Sequence, residues 1–216
     1  MGRGHARAAK ASKAMSGPSK SSLYRTAQWI FRWGFRLTHG WRVEGQDQVP
    51  PSGGCLLAAN HLSLLDPPAL GSALEHRQVH FMAKQELFQR PLLGRLIRAL
   101  GSFPVERGQV DRQALRQALE LLKRGSVVGI FPEGTRGPGG PEMLPWHPGI
   151  ALLAHQAQVP IVPVALRWQP LWIRFGAPRQ VPEQGSSLRE RLRQTQEQVE
   201  TDVAALLYEM HASPSR

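Results

Sequence analysis

One cysteine, Cys55, stands in 216 residues, so no internal disulfide can form. A lone thiol fits a reducing compartment. No apolar run reaches the roughly 18 residues that span a bilayer. The basic opening stretch lacks the apolar segment and small-residue cleavage site of a signal peptide. The expectation is a chain that is soluble or lies on a membrane without crossing it. Acidic residues are scarce: 16 Asp and Glu face 27 Lys and Arg, a formal net charge of +11, and none precedes Glu44. A surplus of this sign selects anionic partners: nucleic acid, lipid headgroups or a phosphorylated substrate. No nucleic-acid-binding motif accompanies the charge, and the basic residues gather near the N-terminus, so anionic lipid is the expected partner. His76, His80 and His155 are scattered and no third ligand joins His61 and Asp66 at metal-site spacing, so no metal is expected.

What is present is a globular balance, 41% hydrophobic and 20% charged, in a chain long enough for one core. Residues 1–20 are mostly Gly, Ala, Ser, Lys and Arg, without Phe, Trp or Tyr, and are expected to be a disordered basic tail. Residues 22–38 have helical periodicity. Leu23, Ala27, Ile30, Phe31, Gly34 and Leu37 share one face, Arg25, Gln28, Arg32 and Arg36 the opposite one, with Trp29 and Trp33 beside the arginines. That is the composition of a helix lying in the headgroup plane, and 21–40 is assigned to it; an ordinary helix packed on its own domain is the alternative. From residue 54 short apolar strands alternate with helices. Strands are expected at 54–60, 79–84, 102–107, 126–131, 161–166 and 171–176. Helices are expected at 66–75, 86–99 (broken near Pro91), 111–124, 150–157 and 187–209. Asp66 is a candidate N-cap, with Pro67 at the first helical position. This alternation predicts an α/β fold, a layered mixed sheet flanked by helices, over 41–212 and behind the N-terminal amphipathic helix.

Two segments follow apolar strands directly, where sites are built in such sheets. In the first, Asn60 to Asp66, a histidine and a carboxylate stand five residues apart. His61 is a natural base at neutral pH, and Asp66 can fix its tautomer and stabilise the imidazolium. A satisfied histidine beside a helix cap is the other reading. In the second, Phe131-Pro132-Glu133-Gly134-Thr135-Arg136, the glycine lets backbone N–H groups approach an anion, Thr135 can donate a hydrogen bond and Arg136 can grip a phosphate. A surface turn with a solvated Glu–Arg pair is the alternative. Cys55, inside a buried strand, is a poor nucleophile.

Taken together in order, these segments resemble the glycerolipid acyltransferases of the lysophosphatidate acyltransferase type. The N-H-x-x-x-x-D block is matched by Asn60 to Asp66, G-x-x-x-x-x-R by Gly101 to Arg107, F-P-E-G-T-R by Phe131 to Arg136, and the apolar V-P-[IV]-[VI]-P-[VA] block by Val159 to Val164. An intermediate K-x-E-L segment stands between the first two blocks, at Lys84-Gln85-Glu86-Leu87. Trp146-His147-Pro148-Gly149 departs from the family, which often has a lysine at the place of His147. The resemblance implies direct acyl transfer with no cofactor and no acyl-enzyme. Its donor is an acyl-carrier-protein or CoA thioester and its acceptor a lysophospholipid, 1-acylglycerol-3-phosphate foremost, another lyso-lipid such as a lyso-ornithine lipid second. It makes His61 and Asp66 catalytic and assigns Lys84, Arg107, Glu133, Gly134, Thr135 and Arg136 to substrate binding, with Glu133 expected either to order the Lys84, Arg107 and Arg136 cluster or to bind a glycerol hydroxyl. The expected location is peripheral, on the cytoplasmic face of a membrane. Leu62, Leu64, Leu65, Leu70, Phe81 and Phe103 are candidates for an acyl groove, with core packing the plainer role.

Overall fold

A computed structural model describes residues 20–106, 111–139 and 142–213. The apolar runs become strands of one seven-stranded sheet, in the order β1-β7-β6-β2-β5-β3-β4. The strands are β1 (Arg42–Glu44), β2 (Cys55–Ala59), β3 (Val79–Lys84), β4 (Phe103–Val105), β5 (Val127–Ile130), β6 (Ile161–Arg167) and β7 (Trp172–Phe175). Every residue of β2 and β6 is buried. Unbroken apolar runs of this kind, rather than alternating ones, mark strands covered on both faces. All neighbours pair in parallel except β6 and β7. Those two are separated only by residues 168–171, too few for a crossover, so they pair antiparallel. The sheet is therefore mixed, as expected. β1 and the 3₁₀ turn Gln46–Gln48 were not anticipated; three residues are too short to show a period.

Side chains alternate across the sheet. Leu56 and Ala58 point to one face, where α5 (Arg112–Lys123), α6 (Ile150–Ala157) and α7 (Leu188–Ala212) supply Ala118, Leu122, Leu153, Val203 and Leu207. Leu57 and Ala59 point to the other, where α2 (Asp66–Ala73) supplies Ala69 and Leu70, and α1 (Ser22–Thr38) supplies Phe35. Leu70, Phe81 and Phe103 are core residues; Leu64 and Leu65 are exposed. The helix expected over 86–99 breaks at Pro91 into α3 (Gln85–Phe88) and α4 (Pro91–Ala99).

Three helix starts are capped by side chains: Ser21 accepts from Tyr24 N, Asp111 from Gln113 N and Ala114 N, and Ser187 from Glu190 N. Asp111 also accepts from Glu106 N at 2.9 Å, which ties the end of β4 to the start of α5. These backbone N–H donors hold its carboxyl below the usual carboxylate range.

The face of α1 turned to the domain differs from the apolar face read from periodicity. Tyr24 and Phe35 are buried, and Gln28 donates to the Gly71 and Leu74 carbonyls of the α2 segment. Of the expected apolar face only Phe31 packs on the core. Leu37 (81% exposed), Ile30 (55%) and Leu23 face outward, joined by Trp29 (64%) and Trp33. Arg32 pairs with Glu75. The basic tail expected over 1–20 lies outside the described residues except for Lys20, which donates to Gln28 Oε1 at 2.8 Å.

Candidate active site

Parallel pairing decides what meets at the site. Because β2, β5, β3 and β4 are neighbours running the same way, the segments that follow them emerge at one edge. These are the segments beginning at Asn60, Phe131, Lys84 and Glu106, so three matched blocks and the K-x-E-L segment converge. The fourth block lies in β6, beside β2. Asn60 extends this pairing one step past the strand: its side-chain amide donates to Leu166 O (2.9 Å) and accepts from Leu166 N (2.8 Å).

The chain then turns, and Asp66 closes the turn. Its Oδ2 accepts from His61 Nδ1 (2.8 Å), Leu62 N (2.6 Å) and Ser63 N (2.7 Å). Its Oδ1 accepts from Trp168 Nε1 at 2.8 Å. This corrects the N-cap reading: Leu65 is the N-cap residue, Asp66 the first helical residue and Pro67 the second. The carboxylate turns back onto the motif instead of forward onto the helix. All four contacts donate into Asp66, so the proton of a neutral His61 sits on Nδ1 and Nε2 keeps its lone pair. His61 is buried, and its ring stacks on Phe131 with centroids 4.4 Å apart.

Glu133 binds the two blocks together. Its Oε1 accepts from His61 N (2.8 Å), its Oε2 accepts from Leu144 N (3.1 Å), and Gly137 N donates to His61 O (2.7 Å). Glu133 is buried, so the expected substrate-binding carboxylate is turned inward and holds the His61 backbone. Gly134 has φ +67°, a left-handed backbone that favours glycine, and the exposed His147 ring closes over it, 2.8 Å from where a Cβ would stand. His147 N donates to Pro132 O (2.9 Å), which lays the departing segment over the F-P-E-G-T-R turn.

Thr135 and Arg136 are exposed on that turn. Lys84 is half-exposed and pairs with Glu86 at 2.9 Å. Arg107 lies outside the described residues, following directly on the Asp111-bound Glu106 amide. The structure therefore brings Asp66 and Glu133 each into direct contact with His61, and sets Lys84 at the end of β3 and Gly134, Thr135 and Arg136 on the turn after β5. Cys55 is fully buried, and desolvation pushes its thiol up to about 12. Sequence reasoning missed the partners of the pair: Phe131, Trp168 and the strand-extending role of Asn60. Phe131 and Asn60 lie inside the matched blocks and were available to it. Trp168 is separated from Asp66 by 102 residues, and no local pattern links them.

The architecture and the pair define an α/β protein with a strand-end site equipped for general-base chemistry, its imidazole oriented by a buried carboxylate. Comparison with known sequences specifies it further. The Acyltransferase family matches residues 40–167, and the chain belongs to that family. It is 34% identical over 129 residues to a 1-acyl-sn-glycerol-3-phosphate acyltransferase of Bacillus subtilis, covering 60% of this chain and 63% of that one. It is 34% identical over 142 residues to the human 1-acyl-sn-glycerol-3-phosphate acyltransferase beta, covering 63% of this chain and 50% of that one. The chain thus spans less than two thirds of the length of these relatives. The crystal structure of the 1-acyl-sn-glycerophosphate acyltransferase PlsC from Thermotoga maritima superposes with a TM-score of 0.72 at 29% identity, over 89% of this chain and 81% of that one.

Proposed function

We propose that the protein transfers a fatty acyl group from an acyl-carrier-protein or CoA thioester to the sn-2 hydroxyl of 1-acylglycerol-3-phosphate, giving phosphatidic acid for phospholipid synthesis. The observation that carries this reading is the buried His61–Asp66 pair at 2.8 Å, locked to the F-P-E-G-T-R segment through Glu133. In this mechanism His61 Nε2 takes the proton of the acceptor hydroxyl, and Asp66 holds the Nδ1 proton and stabilises the imidazolium. The hydroxyl oxygen attacks the thioester carbonyl. The tetrahedral intermediate collapses by breaking the C–S bond, and the leaving thiolate takes the proton back from His61. No acyl-enzyme forms and no cofactor is needed. Arg136, Thr135, Lys84 and Arg107 are assigned to the acceptor phosphate, where a guanidinium offers two parallel donors.

The acceptor resides in a membrane, and α1 suits that location. No helix among the described residues is long and apolar enough to cross a membrane. α1 instead offers Leu23, Trp29, Ile30, Trp33 and Leu37 outward, with Arg25 and Arg36 also exposed, the pattern of a helix seated among headgroups. We assign the protein to the cytoplasmic face of a membrane, with anionic lipid rather than nucleic acid as its partner.

The test is an assay with 1-acylglycerol-3-phosphate and each donor type, comparing the wild-type protein with His61→Ala. Loss of turnover by about 10³-fold in a folded variant is expected. Retained activity would remove His61 from the chemistry.

A further inference from the structure

We infer that Trp168 is a positioning residue for the His61–Asp66 pair and couples the carboxylate to the C-terminal end of α1. Asp66 is fully buried, and three donors converge on its Oδ2. The donor found on Oδ1 is the Trp168 indole N–H, at 2.8 Å. This bond fixes the rotation of the carboxyl group about its last side-chain torsion, and with it the direction in which His61 is held. It also draws charge toward Oδ1, away from the imidazole.

Trp168 is itself held by α1. Its ring meets Phe35 edge-on at 5.7 Å between centroids and His39 edge-on at 5.2 Å. Phe35 stacks on Trp41 at 6.0 Å, and Leu171 N donates to His39 O at 2.8 Å. The end of the helix with the exposed apolar face is therefore one side chain away from the reacting pair. Displacement of that end moves the Trp168 ring, and with it the donor on Asp66.

Glu133 accepts from the His61 amide, His39 touches the Trp168 ring, and the neighbouring Arg167 guanidinium donates to Met210 O and lies over Trp172. Removing the Trp168 donor leaves Oδ1 with less to neutralise it in a buried place. More negative charge then faces His61, which favours its protonated form.

The inference rests on His61 being the base, and its test includes a readout independent of activity. In the full chain, the Trp168→Phe substitution keeps a ring against Phe35 and His39 but deletes the N–H. The low-field proton resonance of His61 Nδ1, assigned by its absence in His61→Ala, is expected to move downfield in Trp168→Phe. With acceptor and thioester, kcat is expected to fall about tenfold while both KM values stay within about twofold, the split left when positioning rather than binding is lost. The acid limb of the rate profile is expected to move upward by about half a pH unit, and to do so equally in a His39→Gln background. A resonance and an acid limb that both stay in place would overturn the inference, whatever happens to kcat; so would a shift of the limb that vanishes without His39. A fall in kcat matched by a lowered Tm, with the proton readouts unmoved, would make Trp168 a packing residue and overturn it equally. Should no acyl transfer be found with any lyso-acceptor, the resonance alone still decides the link between Trp168 and Asp66.

Discussion

Asp66 takes every donor aimed at it, and this makes the consequence of changing one atom of it specific. Asp66→Asn places an NH₂ group where Oδ2 or Oδ1 now accepts, so at least one of the backbone or indole donors meets another donor. Whichever way the amide faces, it is neutral, and His61 loses the negative charge that stabilises its imidazolium. A kcat reduced by about 10²–10⁴-fold with little change in KM is expected in steady-state assays. Asn60 illustrates the structural side of the same motif. Asn60→Ala strips a buried N–H and a buried C=O of Leu166 of their partners. A loss of roughly 2–6 kcal/mol is expected in denaturant titration, since each of the two orphaned groups costs about 1–3 kcal/mol. Cys55→Ala, by contrast, is expected to keep acyl transfer, because a thiol pushed up to about 12 in a buried strand supplies no nucleophile at neutral pH. At this scale the histidine and the aspartate were legible because both lie in one short motif. The inward turn of Glu133 was not, because a letter in a motif says nothing about which side of the loop its side chain takes.

At the scale of elements, strands and helices were legible because buried strands are short apolar runs and the helices carry a clear period. The orientation of α1 was not. Periodicity shows that a helix has two faces, but the domain packs against a third arc, through Tyr24, Gln28, Phe31 and Phe35, that mixes aromatic and polar residues. The outward arc is therefore the one to alter. Ile30→Glu with Leu37→Glu is expected to leave Tm nearly unchanged, since exposed substitutions stay within about 0.5 kcal/mol, and to reduce vesicle binding in flotation by about tenfold or more. Tyr24 gives the inner arc a pH dependence. Burial raises its phenol from 10.0 to about 12, and its hydroxyl accepts from Val79 N at 3.1 Å. A folded-state value above the unfolded one means stability that is complete below about pH 10 and is lost as pH rises through about 12. The contribution is on the order of 2–3 kcal/mol. Alkaline melts should show it, and Tyr24→Phe should flatten that part of the curve.

Over the whole molecule, the mixed sheet turns segments far apart in the chain into neighbours at one edge, so a reading of motif order anticipated the site without anticipating its contacts. The +11 formal charge acts at this scale too. Binding to vesicles containing anionic lipid is expected to weaken about tenfold between 0.1 and 1 M salt, as the screening length falls from about 10 Å to about 3 Å. Neutral vesicles should show little of this dependence. The Glu133 tie has a consequence for anyone rebuilding this protein. One carboxylate grips the backbone of His61 with one oxygen and the far limb of the 131–147 loop with the other. Exchanging that loop for a cousin's, to alter which headgroup is accepted, would transplant half of a clasp. The graft will seat the imidazole correctly only if the donor loop brings its own buried glutamate, at the same depth and reaching back the same way.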